Sequence, residues 1–496
     1  MEFSKQYDHR ALIKYGLTTL FLAATFRLTQ GYMALALPLF ALISVLNRKS
    51  IEILYWVLML TLSSVANPAI FMRNTVTMAA LRVTLVLLTG ALAVKALNTR
   101  GTRVTALFWG IMPYMAWEMI VSLQGYSPIV SYLKLILFFC IFLAVMGVAN
   151  EIIASLSANA RILRSAVLAP IALMIIGSVA LIPFPSLSLM VEKLSLEAML
   201  SGEAVSLFCG MCAHSQAMGP MSGILATFVL ADLVFSVRKW DPFYLLMLAC
   251  CPLIAWKTSS RTGMGTLIVG TGIVIFFFLN SHGGSRKWRT NVLSVLLLLV
   301  TFGVVALMTV PKLRERASEF AVKTAERQER TDVSVEKMFS SRQNKIDTAW
   351  YNFKKKPMLG NGFQVSEEMV GVRRRGLASY LAAPIEKGVW MYAILEEGGA
   401  VGMVLFCGWL ACLFWMLYRR HAYITASVFF AFIVSNVGEF SIFAMSYVGG
   451  FYWTLTFIAA VLDAQCLKDK GLPVYGAPIR SVRAEVGMEE WTRLRG

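Results

Sequence analysis

Long blocks of apolar residues recur along almost the whole chain and constrain its fold more than any other feature. Each block holds roughly 16 to 22 residues, about the length that an α-helix needs to cross the hydrocarbon core of a bilayer. Only 15% of the 496 residues are charged, whereas about a quarter are charged in soluble domains. The pattern therefore predicts an all-α, polytopic helical membrane protein.

The blocks predict roughly fourteen transmembrane helices. We expect them at 11–28, 31–46, 51–72, 75–96, 104–123, 129–149, 163–182, 215–237, 242–256, 262–280, 290–310, 389–417, 421–437 and 444–466. Helices 1–11 then occupy residues 1–310 and helices 12–14 occupy 389–466. Between them lies one large extracytoplasmic loop over 311–388, and a polar cytoplasmic tail follows at 467–496.

Most of the net charge of +18 lies in short loops, where Lys and Arg set the orientation of a membrane protein. With the amino end in the cytoplasm, the inside loops carry Arg48, Lys49, Lys95, Arg100, Arg103, Arg161, Arg164, Arg238, Lys239, Arg286, Lys287, Arg289, Arg419 and Arg420. The short outside loops carry only Arg27, Arg73, Lys193, Lys257 and Arg261. This asymmetry predicts cytoplasmic amino and carboxyl termini, and it explains the basic excess without a nucleic-acid partner.

The predicted outer loop is basic and partly helical. Residues 312–387 contain sixteen Lys or Arg against ten Asp or Glu. The stretch "SRQNKIDTAWYNFKKK" favours a helix, and "PMLGNGF" after it is typical of a turn. Before this loop, Cys209, Cys212 and His214 fall short of the four ligands of a structural zinc site, so we expect no metal and no cofactor.

One arginine stands apart in "WKTSSRTGMGTL", between two apolar blocks on the charge-poor outer side. Arg261 is predicted to begin a helix, where backbone N–H groups and the helix dipole favour an anion. Ser260 and its neighbours add hydroxyl donors, and an arginine with hydroxyls suits phosphate oxygens. The alternative is a side chain that snorkels to lipid headgroups.

Four stretches now appear in a characteristic order. They are "CAHSQAMGP", "SSRTG" before a helix, "SSRQNKIDTAWYNFKKKPMLGNGF" in an outer loop, and "IEKGVWMYAILEEGGAVGMVLF" opening a span. Over about residues 200–415 the chain resembles the bacterial O-antigen ligase and O-antigen polymerase superfamily. The first half is similar only as a series of spans. The resemblance implies a membrane glycosyltransferase that uses a lipid-linked donor, without metal.

The chain departs from the family pattern at one position. Ligases of this family usually have a His–Asn pair about nine residues before the glutamate that corresponds to Glu397. Gly388 and Val389 stand there instead, next to Glu386 and Lys387. The missing histidine favours a polymerase-like or divergent branch over a ligase.

The resemblance implies transfer of a glycan from undecaprenyl diphosphate to an acceptor hydroxyl, outside the bacterial inner membrane. Arg261 and Arg342 would neutralise the departing diphosphate, and Glu386 would be the base. The residues expected to contact substrate are Lys257, Ser260, Lys345, Lys387, His214, Gln216 and Glu397.

Structural roles are the alternative for several of these residues. Arg342 would be a solvated charge, Glu386 and Lys387 an ion pair, and Glu397 a complement to the helix dipole. His214 and Gln216 would cap the helix that they enter.

Three other functions stay open. A ligase would attach the finished glycan to lipid or protein. A transporter or flippase of a lipid-linked sugar would show repeats and ionisable groups near mid-span; we find no repeat, but Glu118, Lys134 and Asp232 interrupt apolar blocks. The third alternative is a non-catalytic assembly subunit. The expected partners are the lipid-linked donor, an acceptor glycan and the bilayer, with a chain-length regulator or export machinery as further candidates.

Overall fold

The structure is a computed structural model. It describes residues 7–47, 49–71, 75–98, 108–154, 156–192, 205–237, 240–280, 290–291, 294, 335–365, 387–438, 440–445 and 448–469. The predicted span 290–310 and most of the predicted outer loop lie outside these residues.

The described chain is mostly helical. Its first half contains α1 (His9–Leu28), α2 (Leu37–Leu46), α3 (Ser50–Val65), α4 (Thr75–Asn98), α5 (Met112–Ser122), α6 (Pro128–Ala154) and α7 (Leu156–Ala180). Its second half contains α8 (Ser215–Ala231), α9 (Pro242–Lys257), α10 (Arg261–Asn280), α11 (Val335–Lys355), α12 (Trp390–Arg419), α13 (Tyr423–Ser435) and α14 (Val448–Asp469). Short 3₁₀ segments, Tyr32–Leu35 and Trp109–Ile111, precede α2 and α5, and a π-helical segment, Asp232–Val237, extends α8.

Seven of the described helices are long and apolar enough to cross a membrane, namely α1, α6, α7, α8 with its π-helical extension, α10, α12 and α14. The prediction of a helical chain with several candidate membrane spans is thereby confirmed, and the full set of fourteen stays a prediction. Helices α2 and α5 have only 10 and 11 residues, about half the length needed to span. The α-helix in the block at 31–46 begins only at Leu37. Gln30 and Gly31 take left-handed backbone conformations, and Pro38 is compatible with the first turn of a helix but not with its interior.

A small β-hairpin, which the apolar blocks do not predict, closes one end of the helix bundle. Strand β1 (Leu189–Glu192) pairs antiparallel with β2 (Val205–Phe208), and Leu189 lies opposite Phe208. The amide of Asn67 donates to the carbonyl oxygens of Leu187 and Gly210 and so ties the hairpin to the end of α3. Cys209 and Cys212, next to the hairpin, are buried.

Helices α8 and α10 cross in close contact because glycines line both of them. Gly219 and Gly223 on α8 lie against Gly263 on α10, and Gly270 on α10 lies against Thr227 on α8. A Cβ at Gly223 would lie 2.8 Å from the backbone nitrogen of Leu267, and one at Gly263 would collide with the backbone of Gly219. Small residues at this spacing let two membrane helices approach backbone to backbone. The crossing therefore determines where Arg261 lies relative to His214.

We expect Gly263→Ala to reduce stability by about 1–3 kcal/mol, the usual result of overpacking a tight contact. Gly265, two residues away, has open space around its Cβ position. Gly265→Ala should therefore be neutral or raise stability by up to about 1 kcal/mol, because alanine favours helix over glycine. Thermal unfolding of both variants in detergent measures the difference. Equal melting temperatures would contradict the assigned crossing.

The opposite end of the bundle holds a separate buried ion pair. Arg164 on α7 donates from Nε and Nη2 to the two carboxylate oxygens of Asp232, at 3.0 and 3.2 Å. The hydroxyl of Tyr244 donates to the same carboxylate at 2.5 Å. Asp232, one of the charges that interrupt the apolar blocks, is thus a partner in a bidentate pair at the point where α8 becomes π-helical.

Candidate functional site

Two helix amino termini meet at the end of the bundle that carries the β-hairpin, which we call the site end. Helix α10 begins at Arg261, as predicted, and the hydroxyl of Ser260 accepts from the backbone N–H of Gly263 at 3.0 Å. Ser260 is therefore a helix cap. Arg261 itself is half-buried. Because Gly219 near the start of α8 packs against Ser260, the two amino termini lie side by side.

His214 and Gln216 mark the start of α8. His214 occupies the N-cap position, but its side chain does not form the capping hydrogen bond. Both side chains are exposed at the site end. Lys257, the last residue of α9, is exposed as well. The α8–α10 crossing thus gathers four of the predicted substrate-contacting residues and Arg261 around one pair of helix termini.

The segment before α12 reaches the same end of the bundle. Gly438, just after α13, lies against Thr262 with no room for a side chain. The backbone N–H of Trp390 donates to the carbonyl oxygen of Asn436 at 3.1 Å. A Cβ at Gly388 would lie 3.7 Å from Cβ of Lys345 on α11. The end of α13 therefore connects the start of α10 to Lys345 and Lys387.

Lys387 belongs to a buried charge cluster, which we define as Glu118, Lys134, Lys387, Glu396 and Glu397. The ammonium group of Lys387 lies 3.0 Å from Oε1 of Glu397 and 3.3 Å from Oε2 of Glu396. Glu118 on α5 touches the backbone at Gly398, and Lys134 comes from α6. All five side chains are at most 5% exposed. Helices α5, α6 and α12 and the segment just before α12 thus bring their charges together.

Two backbone carbonyl oxygens accept hydrogen bonds from the lysines of the cluster. Lys134 donates to the carbonyl oxygen of Gln364 at 2.9 Å, and Lys387 donates to that of Val365 at 2.7 Å. Burial by itself would lower the pKa of Lys387, but the carboxylates of Glu396 and Glu397 outweigh it and raise that pKa above its ordinary value. Lys387 is therefore charged at neutral pH.

The turn "PMLGNGF" is docked into a break in α12. Gly399 has a left-handed backbone, with φ of 67°, and interrupts the helix. The carbonyl oxygens freed there accept from the turn: Asn361 N–H to Glu396 at 2.9 Å and Gly362 N–H to Glu397 at 3.0 Å. Buried carbonyls require such partners. The two motifs that are 35 residues apart in sequence therefore form one structural unit.

The glycines of this unit are required by contact as well as by conformation. Gly360 has φ of 74°, and a Cβ there would collide with the carbonyl of Glu397. A Cβ at Gly399 would collide with the carbonyl of Met358. Asn352 on α11 adds a hydrogen bond to Glu396 at 2.9 Å, and the indole of Trp117 donates to the carbonyl of Gly398 at 2.7 Å.

Several site predictions are only partly addressed by this geometry. Glu386 and the side chain of Arg342 lie outside the described residues, although residue 342 falls on α11. Lys387 pairs with Glu396 and Glu397 rather than facing solvent. Substrate contact by Lys387 and Glu397, and the catalytic roles of the other residues, stay predictions.

Sequence reasoning did not include Glu118, Lys134, Glu396 and Asn352 in the site. Glu118 and Lys134 did carry a signal, because a charge inside an apolar block is unfavourable unless it is paired or functional. Glu396 and Asn352 carried none, because each becomes informative only when the break in α12 brings it to Lys387 and to the turn.

The exposed face of α11 combines aromatic rings with lysines. Trp350 and Tyr351 are 40% and 61% exposed. The ammonium group of Lys355 lies 4.4 Å from the centre of the Tyr351 ring, and that of Lys354 lies 5.6 Å from the Trp350 ring. Aromatic and basic side chains on one helix face are typical of helices at a membrane surface.

A comparison of the chain with protein-family models finds no match, and neither does a search of curated proteins. The functional interpretation therefore depends on the geometry of the site end and on the chemistry that its residues can perform.

Proposed function

We propose that this protein is a polysaccharide polymerase of a bacterial exopolysaccharide, capsule or O-antigen pathway. It transfers a glycan from undecaprenyl diphosphate to the hydroxyl of an acceptor glycan. The chain has about fourteen spans in the inner membrane, both termini are cytoplasmic, and the site end faces outward. The outward direction is supported by the scarcity of Lys and Arg in the short loops at that end.

The single observation that carries the proposal is the position of Arg261. It begins α10, beside the start of α8 and next to the segment that leads to Lys345. A guanidinium, an ammonium group and helix amino termini at one end of a bundle offer charge-assisted donors for a diphosphate. Such preorganised donors stabilise the charge that develops on a leaving group.

The reaction needs no redox or metal step to balance. The acceptor oxygen attacks the anomeric carbon of the donor sugar, and the bond between that carbon and the diphosphate oxygen breaks. The electron pair leaves with the lipid diphosphate, whose negative charge Arg261 and Arg342 neutralise. The acceptor proton passes to Glu386, the base proposed in place of the family histidine.

The experiment is an incubation of purified protein with a lipid-diphosphate oligosaccharide, followed by analysis of product size. We expect a ladder of products that differ by one repeat unit. A single transfer to lipid or protein would identify a ligase instead. No new glycosidic bond, with the donor recovered intact, would contradict both enzymatic proposals.

A second candidate, a transporter or flippase of the lipid-linked sugar, is favoured by the buried charge cluster. Ionisable residues inside membrane segments are commonly functional, and transporters bind ligands where a helix is broken. The cluster lies at such a break, at Gly399. Vesicles with a labelled lipid-linked sugar in one leaflet test this candidate. Label that changes leaflet without changing size would favour it over the polymerase.

A further inference from the structure

Glu118 is the carboxyl group of the buried charge cluster that forms no ion pair with the described residues. It is 0% exposed. Among the residues that the structure describes, the hydroxyl of Tyr114 is the donor that faces its carboxyl group, and no cation forms an ion pair with it. The carboxyl group is pressed against Gly398, at the break in α12. An ionised carboxylate in that position would lose its hydration and gain only one neutral hydroxyl in exchange, which is strongly unfavourable.

The charges around Glu118 lead to the same conclusion. On its own helix it faces Tyr114, from α12 it faces Glu397, and from the preceding segment Lys387. Lys387 is already paired with Glu396 and Glu397. The cluster thus holds two lysines and three carboxyl groups. It is electrically neutral when two of the carboxyl groups are ionised and the third is not.

We propose that Glu118 is a proton-binding site, and that its carboxyl group is neutral at neutral pH beside the break in α12. Glu396 and Glu397 carry the two negative charges, which balance Lys134 and Lys387. The assignment places the proton on the carboxyl group that lacks a paired cation, and it leaves the ion pairs of Lys387 intact. It does not depend on either function proposed above, since both can operate with this proton in place.

Glutamine substitutions distinguish the carboxyl groups, because glutamine resembles a protonated glutamate in shape and charge. Glu118→Gln should leave the melting temperature of the full-length protein in detergent unchanged at about pH 4, where Glu118 is mostly protonated in both the folded and the unfolded state, and should not lower it at pH 7. Glu397→Gln, the matched control, should lower it clearly, because one of the charges paired with Lys387 is removed. Infrared spectra at pH 7 should contain a carboxylic-acid C=O band that disappears in Glu118→Gln and persists in Glu397→Gln.

The pH dependence has a definite sign. When the protein unfolds, Glu118 meets water and loses its proton above the ordinary pKa of about 4.3. The folded state then binds more protons than the unfolded state, so stability falls as pH rises. The melting temperature of Glu118→Gln minus that of the wild type should therefore increase from near zero at about pH 4 to a positive value at pH 7.

Two results would overturn the proposal. One is a Glu118→Gln variant as unstable as Glu397→Gln, which would mean that Glu118 carries a needed charge. The other is a wild-type infrared spectrum at pH 7 with no carboxylic-acid band. If Glu118→Gln fails to fold, Glu118→Asp serves in its place. A wild-type acid band whose frequency does not change in that variant belongs to another residue and rejects the assignment.

Discussion

Replacing Arg261 with alanine should reduce polymer formation by about 100- to 1,000-fold, the usual loss when one donor that stabilises developing charge is removed. Arg261 is at the start of α10, where the helix terminus and the guanidinium would act on the same anion. Arg261→Lys should retain part of the activity. A lysine keeps the charge, but it loses the planar pair of donors that binds two phosphate oxygens at once.

The measurement is the rate of ladder formation by purified protein from a lipid-diphosphate oligosaccharide. Arg420→Ala is the matched control: this arginine is also half-buried, and it follows α12 at the other end of that helix. We expect it to leave the rate unchanged. Membrane insertion and the elution profile of both variants should match the wild type. A normal ladder from Arg261→Ala would exclude the arginine from the diphosphate site.

Replacing Lys387 with methionine should destabilise the protein by about 3–5 kcal/mol, the range observed when one partner of a buried ion pair is removed. Lys387 is 4% exposed and is held by two carboxylates and one backbone carbonyl. Methionine has a similar length, so it creates little empty volume. The loss therefore comes from the carboxylates of Glu396 and Glu397, which stay buried without their cation.

Combining Lys387→Met with Glu396→Gln and Glu397→Gln should recover most of that stability, because the triple variant buries no unpaired charge from these three residues. Lys257→Met is the control for loss of a lysine at the site end. Its side chain is exposed, and we expect a change within about 0.5 kcal/mol. Thermal unfolding in detergent measures all three. A Lys387→Met variant as stable as the wild type would contradict the pairing of Lys387 with Glu396 and Glu397.

Local features of the sequence were sufficient to predict much of the helical structure. The start of α10 at Arg261 and the turn after α11 follow from residue types within a few positions. The β-hairpin and the shortness of α5 did not follow. Hydropathy indicates only that a segment is buried away from water. A short helix followed by a packed turn is buried in this way just as a full transmembrane helix is, so hydropathy does not distinguish the two.

The membrane character of the chain is a property of its sequence, because backbone polar groups in an apolar stretch of about 20 residues must pair within a helix when the stretch is in lipid. Which charges meet is a property of the tertiary structure. The charged residues that meet in the cluster are separated by up to 279 positions in the sequence, from Glu118 to Glu397 (397 minus 118). The hydrophobic effect is non-directional, so it does not select which of these side chains come into contact. They come together because the break at Gly399 exposes carbonyls that the turn at 357–363 satisfies, and that contact positions the charged side chains around it.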